Sequence, residues 1–509
     1  MLQSITLKNY KSYHAETEIG IAPLTILCGT NSSGKSSILK SALMLRQTVE
    51  NASSFNKLLF SGNYVDNGYW KDIVSSGSAE DTFMITNTFV IKLLNKGQTS
   101  DVVMFKELNK LYSFVREAEQ YRLTHHLTVA KSGSDKGSIA EVIASNDVIE
   151  TRIDIEPLNR AGMPINGAAG YILLTKEGNS ERRYTLSYAN LPCNGKFVSV
   201  SNEKNCICYF NNIKLSNIYK ERINPCIVDA KPSIFSIFNI VSSQYGNIEY
   251  VTPLRLAPRR RYAISGIVDS VGPAGENMAM LYATLTDDTQ KKTAIPMPPA
   301  PTFSRGDHVF LNNCLAKWAE YIGIGDLSVT RSGETIALNL NGHNLADVGF
   351  GVSQVLPILV QCFCMSCAST LFLEQPEIHL HPKIQMNVAD LLLAVASTGC
   401  NLVVETHSDH IINRIVRRCM EDPELNKLVR ILFVSKDSEG WSQVNKEIEI
   451  DPFKGLINCP PDFFDQYGCE LQDIMQQGLK NFRESRPAYS GVCIPNSCDS
   501  TGAHSLRTH

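Results

Sequence analysis

LTILCGTNSSGKSS, residues Leu24 to Ser37, is the stretch that decides the fold. Leu24 to Cys28 is a continuous apolar run, the pattern of a strand buried on both faces. Gly29, Gly34, Lys35 and Ser36 then fit G-x-x-x-x-G-K-[ST]. SSILKSALMLRQTVE follows, with Ile38, Ala42, Leu45 and Val49 at helical spacing, so one helix face can pack on a sheet. Strand, glycine-rich turn and helix in this order make a phosphate cradle. Backbone N–H groups, a helix N-terminus and one lysine answer the negative charge, and the glycines allow close approach. Lys35 is expected at the β- and γ-phosphates of a triphosphate and Ser36 on Mg²⁺, with Asn31 and Ser37 completing the loop.

About 340 residues further on stands STLFLEQPEIHLHP. Thr370 to Leu373 reads as a short apolar strand, and Glu374 at its C-terminal end is placed to serve the same Mg²⁺. A further strand ending, VVETHS (Val403 to Ser408), comes after it. Upstream, Val355 to Leu373 carries no charge and is long enough to suggest a membrane span. Pro357, Gln361, Ser366, Ser369 and Thr370 interrupt it, so it divides into an apolar helix and a buried strand.

Asn31, Gly34, Lys35 and Ser36, then DVGFGVSQVLPILV, LFLEQPEIHLHP and VVETHSDHIINR, resemble the SMC/RecF/OLD group of ABC-type ATPases. The resemblance is strongest to compact bacterial members without long coiled coils, among them ATPase subunits of anti-phage defence systems such as Septu. It covers the first 50 residues and about 250 to 480, including YVTPLRLAPRRRYAISGIVDSVGPAGEN. It implies an α/β ABC-type head assembled from both ends of the chain, with an elaborated mixed α+β middle. It also implies ATP and Mg²⁺ as cofactors, and a homodimer with nucleotide sandwiched between two heads. Gly349, Gly351, Ser353 and Gln354 would cap the γ-phosphate held by the other copy, and His407 would be the switch residue. His379 and His381 fall in the segment that crosses between copies. Where the wider group has Asp-Glu, this chain has Glu374-Gln375. Glutamine orients water but accepts no proton. Either Glu377 serves as general base, or hydrolysis is slow and the ATP-bound state persists. A separately encoded nuclease, of HNH type among others, is the implied partner. A RecF-like repair or loading ATPase, a nucleotide-sensing scaffold and a transporter ATPase are the alternatives. The last lacks any identifiable membrane-coupling segment.

The 509 residues, 43% hydrophobic and 19% charged, exclude disordered, collagenous and coiled-coil classes. Lys+Arg 48 against Asp+Glu 51 gives a net charge of −3, so nucleic acid contact needs a local patch, for which Arg255, Arg259, Arg260 and Arg261 are the candidates. Fifteen cysteines without framework spacing, no secretory leader and no membrane span point to the cytoplasm. Cys206, Cys208, Cys364 and Cys367 read as core residues rather than zinc ligands. His410 joins the other histidines without forming a metal motif. With no Asp-x-Asp after His407, the chain is not expected to be a nuclease. The expected organisation is an N-terminal lobe over 1–100, an insertion over 101–245 with a helix in residues 103–123, a C-terminal lobe over 246–485, and a loose tail over 486–509. Phe463 to Gln466 resembles a short C-terminal element of the compact members.

Overall fold

The computed structural model describes residues 1–460, except 52–55, 77–80, 93–114, 116–117, 133–145, 179, 181, 194–195, 199–200, 212, 220–224, 265, 267, 299–308, 367–368 and 445–446, and also describes Phe463 and residues 473–477. Residues 461–509 form a unit of their own, in which 473–477 are helical. The expected tail, most of the 103–123 segment, Cys367 and residues 464–466 lie outside the described residues.

The chain begins with β1 (Leu2–Lys8), β2 (Thr17–Gly20), β3 (Leu24–Gly29) and α1 (Lys35–Glu50). The middle supplies β4 (Thr82–Lys92), β5 (Gln120–Lys131), β6 (Asn146–Leu158), β7 (Gly170–Lys176), β8 (Arg183–Ala189), β9 (Ser201–Asn211), β10 (Lys214–Tyr219) and α2 (Pro225–Gly246). Then come β11 (Ile248–Val251), α3 (Leu311–Ile322), α4 (Phe350–Cys364), β12 (Thr370–Glu374), α5 (Pro382–Ala396), β13 (Asn401–Glu405), α6 (Asp409–Glu421), β14 (Val429–Lys436) and β15 (Ser442–Val444).

Two sheets organise these elements. The first has six strands in the order β11-β12-β13-β3-β14-β15, all parallel except β15. Its central strands come from opposite ends of the chain and are buried throughout, as continuous apolar runs require. The second is antiparallel, with nine strands in the order β10-β9-β8-β7-β6-β5-β4-β1-β2. Strict alternation makes it one-sided. In β4, Phe83, Ile85, Phe89 and Ile91 point inward while Thr82, Thr86 and Thr88 face out.

Two expectations change here. The end of the expected 103–123 helix, residues 120–123, is strand β5, where Tyr121, Leu123, Leu127 and Val129 alternate inward. The pattern has period 2 from residue 120 onward, and the sheet reads that period. Helix α1 is buried well beyond a single face, because it runs between β3, β11, β1 and α2. Its buried polar groups are satisfied there: Arg46 pairs with Glu50 and Glu249, and Gln47 donates to Leu59 O. Strands Leu327–Ser332 and Thr335–Leu340 pair as an antiparallel hairpin. Cys206 and Cys208 are buried thiols of the core. Among the described residues no helix is long and apolar enough to cross a membrane.

The inner face of the large sheet carries a buried histidine held by neutral hydroxyl groups. His125 is 1% exposed; its Nδ1 lies 2.9 Å from Tyr245 Oη and its Nε2 lies 3.0 Å from Thr151 Oγ1. Burial lowers its pKa to about 3. The unfolded chain therefore takes up a proton below about pH 6.5 that the folded chain refuses. Stability is expected to be level above that pH and to fall by about 1.4 kcal/mol per unit on acidification toward pH 3 from this residue alone. Urea unfolding of wild type and His125→Gln at pH 7.5 and 5 checks this: the variant should lose less stability between the two.

Candidate functional site

The loop between β3 and α1 is built from conformations its sequence dictates. Gly29 has φ 138°, and a Cβ there would lie 2.0 Å from Val434 O on the neighbouring strand. Gly34, with φ 104°, caps α1 without a side chain, and Tyr13 Oη donates to its carbonyl. Ser442, on β15, hydrogen-bonds Ser12 Oγ and Ser33 O and so braces the loop from behind. Lys35 Nζ donates to Gly29 O (3.1 Å) and Thr30 O (2.7 Å), so the loop closes around its own ammonium. Burial lowers the Lys35 pKa and the nearby Glu405 raises it. With no acidic residue in its first turn, the sixteen-residue helix presents its positive end to the loop.

A cleft of about 420 Å³ opens above this loop, lined by Ser12, Asn31, Ser32, Ser33, Gly34, Lys35, Ser36, Ser37, Gln375, Glu405 and His407. Parallel pairing of β12 with β13 puts Glu374 directly beside Glu405 at the strand ends, and pairing of β13 with β3 brings both to the loop. Glu374 accepts from Tyr250 Oη at 2.9 Å, and burial raises its pKa. Glu405 Oε1 accepts from Ser36 Oγ at 2.9 Å, whereas Oε2 is buried with no partner among the described residues. Burial first, and the Glu374 charge second, push the Glu405 carboxyl up to about 7. Two buried carboxylates, one oxygen unsatisfied, and a serine hydroxyl form a hard-oxygen donor set that fits Mg²⁺. Among the described residues no three His, Cys, Asp or Glu side chains form a metal cage. Ser36, Glu374 and Glu405 are the residues that would hold Mg²⁺.

The other candidate residues fall into two groups. Gln375 and His407 reach the cleft with the loop residues. Gln375 sits at φ 44°, pinned by its N–H to Glu405 O at 2.7 Å. Burial lowers the His407 pKa, and so does Lys35, which favours the neutral imidazole. Glu377 does not line the cleft. Its oxygens accept from Thr406 Oγ1 (2.8 Å) and His407 N (2.7 Å), so it holds the turn carrying His407. Gly349, Gly351, Ser353 and Gln354 are likewise outside the cleft lining. They form the N-cap and first turn of α4, where a Cβ on Gly351 would approach His379 O to 3.0 Å. Ser353 and Gln354 are buried. His381 caps α5 through Lys383 N, and His410 lies beside Asp409.

Arg255 corrects the surface reading of the basic cluster, being buried and donating to Glu374 O. Arg260 is exposed but engaged bidentately by Asp347, and Arg259 and Arg261 are exposed with no ion pair among the described residues. Glu405 is the residue that sequence reading missed. Its signal was present: VVE ends in a carboxylate at a strand terminus, as LFLE does.

A phosphate loop beside a pair of strand-end carboxylates is the arrangement of an ATP-binding P-loop ATPase. Two family models agree. Residues 1–160 match one described as AAA ATPase domain, and residues 303–413 match one described as AAA domain, putative AbiEii toxin, Type IV TA system. Among solved structures, the chain is similar to an SMC head domain from Thermotoga maritima at 11% identity, covering 87% of this chain and 98% of that one, with a TM-score of 0.34. It is also similar to an SmcHead bound to the C-winged helix domain of ScpA, at 12% identity, 89% and 98% coverage and a TM-score of 0.36. A third is the Smc head domain with an extended coiled coil bound to the C-terminal domain of ScpA derived from Pyrococcus furiosus, at 10% identity, 96% and 99% coverage and a TM-score of 0.37. Scores this low leave the fold resting on the sheet order and loop geometry above. No curated protein matches in sequence.

Because Glu374 and Glu405 repel across adjacent strands, Glu405→Gln should raise the melting temperature of the nucleotide-free protein by a few degrees. The same change should weaken Mg²⁺-dependent ATP binding by about tenfold or more. Thermal melts and calorimetric titrations with and without Mg²⁺ read both effects.

Proposed function

We propose that this protein is a Mg²⁺-dependent ATPase of the SMC/RecF/OLD kind, in which ATP joins two copies and the joined state controls a separately encoded effector. The observation that carries the ATPase reading is the convergence of Lys35, Ser36, Glu405, Gln375 and His407 on one cleft. Lys35 has its ammonium at the loop carbonyls and is positioned to exchange them for phosphate oxygens. Bound Mg²⁺ would supply charge neutralisation on the phosphates. The chain's own part is to hold the metal through Ser36, Glu374 and Glu405, orient water with the Gln375 amide, and keep His407 neutral on the γ-phosphate side.

Pairing of two copies is supported by the position of α4. Its N-terminus, with Gly349 and Gly351, lies outside the cleft lining, and among the described residues a Cβ at Gly349 would meet nothing within 4 Å, which suits approach by a phosphate held on a second chain. Slow hydrolysis is supported by Gln375 in the cleft and by Glu377, both of whose oxygens are engaged by the switch turn. A persistent ATP state suits a regulator. The favoured effector is a nuclease, with anti-phage defence as the setting, a reading that rests on the sequence resemblance. The RecF-like alternative needs nucleic acid contact, for which Arg259 and Arg261 remain. Domain limits of 1–100, 101–245 and 246–485 belong to the same proposal.

Lys35→Ala should lower ATP affinity by about a hundredfold. Gln375→Glu should speed single-turnover hydrolysis by about tenfold or more, because a carboxylate supplies the missing base. Quench-flow measurement with wild type alongside decides the matter: an unchanged or slower Gln375→Glu contradicts the slow-switch reading. Sedimentation with ATP and Mg²⁺ should show dimers that Gly349→Trp abolishes.

A further inference from the structure

Arg255 follows β11 and is 5% exposed, while its neighbours Leu254 and Leu256 are 72% and 46% exposed. The usual order, with leucines in and arginine out, is reversed. One guanidinium nitrogen, Nη2, donates to Glu374 O at 3.3 Å, and Nε and Nη1 are buried with no partner among the described residues. Burying unpaired donors on a charged group opposes folding, so the arrangement is not one that stability alone would select.

The contacts on either side of Arg255 join two parts of the site. Its main-chain N–H donates to Gln354 Oε1 and its carbonyl accepts from Gln354 Nε2, both at 3.4 Å. Gln354 is fully buried in the first helical turns of α4, whose N-terminus faces a second copy in the proposed dimer. On the other side, Glu374 O belongs to the peptide leading into Gln375. Glu377, two residues beyond, is the acidic side chain whose charge Arg255 feels. Glu377 in turn holds Thr406 Oγ1 and His407 N. An unbroken series of contacts and one charge interaction therefore runs from α4 to the turn that lines the cleft.

We propose that Arg255 is a positioning residue that couples the N-terminal turn of α4 to the Gln375–Glu377 segment and the His407 turn, with Glu377 as the second acceptor open to its unpaired N–H groups. A fully paired arginine would clamp these elements in one arrangement. An arginine with two donors still free has a second arrangement available, in which Glu377 exchanges part of its hold on the turn for a salt bridge. Movement of α4 when two copies meet then reaches the water-orienting residues without Arg255 touching nucleotide. This inference rests on the ATPase reading above.

The test uses the full chain, with ATP as ligand and three readouts: affinity, single-turnover rate, and hydrogen exchange over residues 405–408 without nucleotide. For Arg255→Gln, affinity should stay within about threefold while hydrolysis slows about tenfold or more, since only positioning is lost. Exchange at the His407 amide should rise about fivefold, because Glu377, the acceptor of that amide, loses the positive charge beside it. Arg255→Lys, which keeps the charge but not the fork, should restore exchange protection and leave hydrolysis slow. Gln354→Met should slow hydrolysis in the same way, and the double variant with Arg255→Gln should be no slower than the single ones. The proposal is overturned if affinity and rate fall together, if the two variants are additive, or if exchange at His407 does not move. Should Arg255→Gln fail to fold, Arg255→Lys and Gln354→Met carry the same comparison. Wild type that binds no ATP overturns the ATPase reading, while the exchange comparison still judges the coupling.

Discussion

The register of three parallel strands governs this molecule. Pairing β12 to β13 and β13 to β3 sets Glu374, Glu405 and the Lys35 loop at one edge of the sheet, although the loop and the carboxylates lie at opposite ends of the chain. Side chains change face with each residue, so a slip of one position would turn Glu405 away from the cleft. The geometry has an electrostatic cost, visible in the raised pKa values of the two glutamates. A cation and polyphosphate at the site would relieve it, so binding of the pair is expected to stabilise the fold.

The large antiparallel sheet makes that placement durable. Strands β1 and β2 belong to it, β3 belongs to the parallel sheet, and α1 lies between, so the element that presents the phosphate loop is enclosed by both cores. Ser442 from β15 supports the loop from the far side. The turn carrying His407 is held by Glu377, by Thr406 N donating to Leu27 O on β3, and by the N-cap Ser408, whose side chain accepts from Ile411 N.

Much of this was legible in the sequence because its signals are local. Glycine spacing with a strand before and a helix after fixes the loop, and LFLE followed by a turn fixes Glu374. Glu405 was not legible, since its importance comes from lying beside Glu374, a relation between chain segments. Arg255 was misread for a related reason: it stands in a run with Arg259, Arg260 and Arg261, and only its contact with Glu374 O shows that it points inward. A mixed α+β middle was expected, and its strands alternate in burial. Their order, and their continuity with β1, depend on pairings that local pattern does not encode.

The most direct measurement of the central claim is manganese(II) electron paramagnetic resonance on the purified protein, with and without a slowly hydrolysed ATP analogue. The predicted result is tight Mn²⁺ binding only when the nucleotide is present, weakened in Ser36→Ala and in Glu374→Gln. Equal Mn²⁺ binding without nucleotide, or none with it, would contradict the assignment of the loop and the paired carboxylates to one metal–nucleotide site.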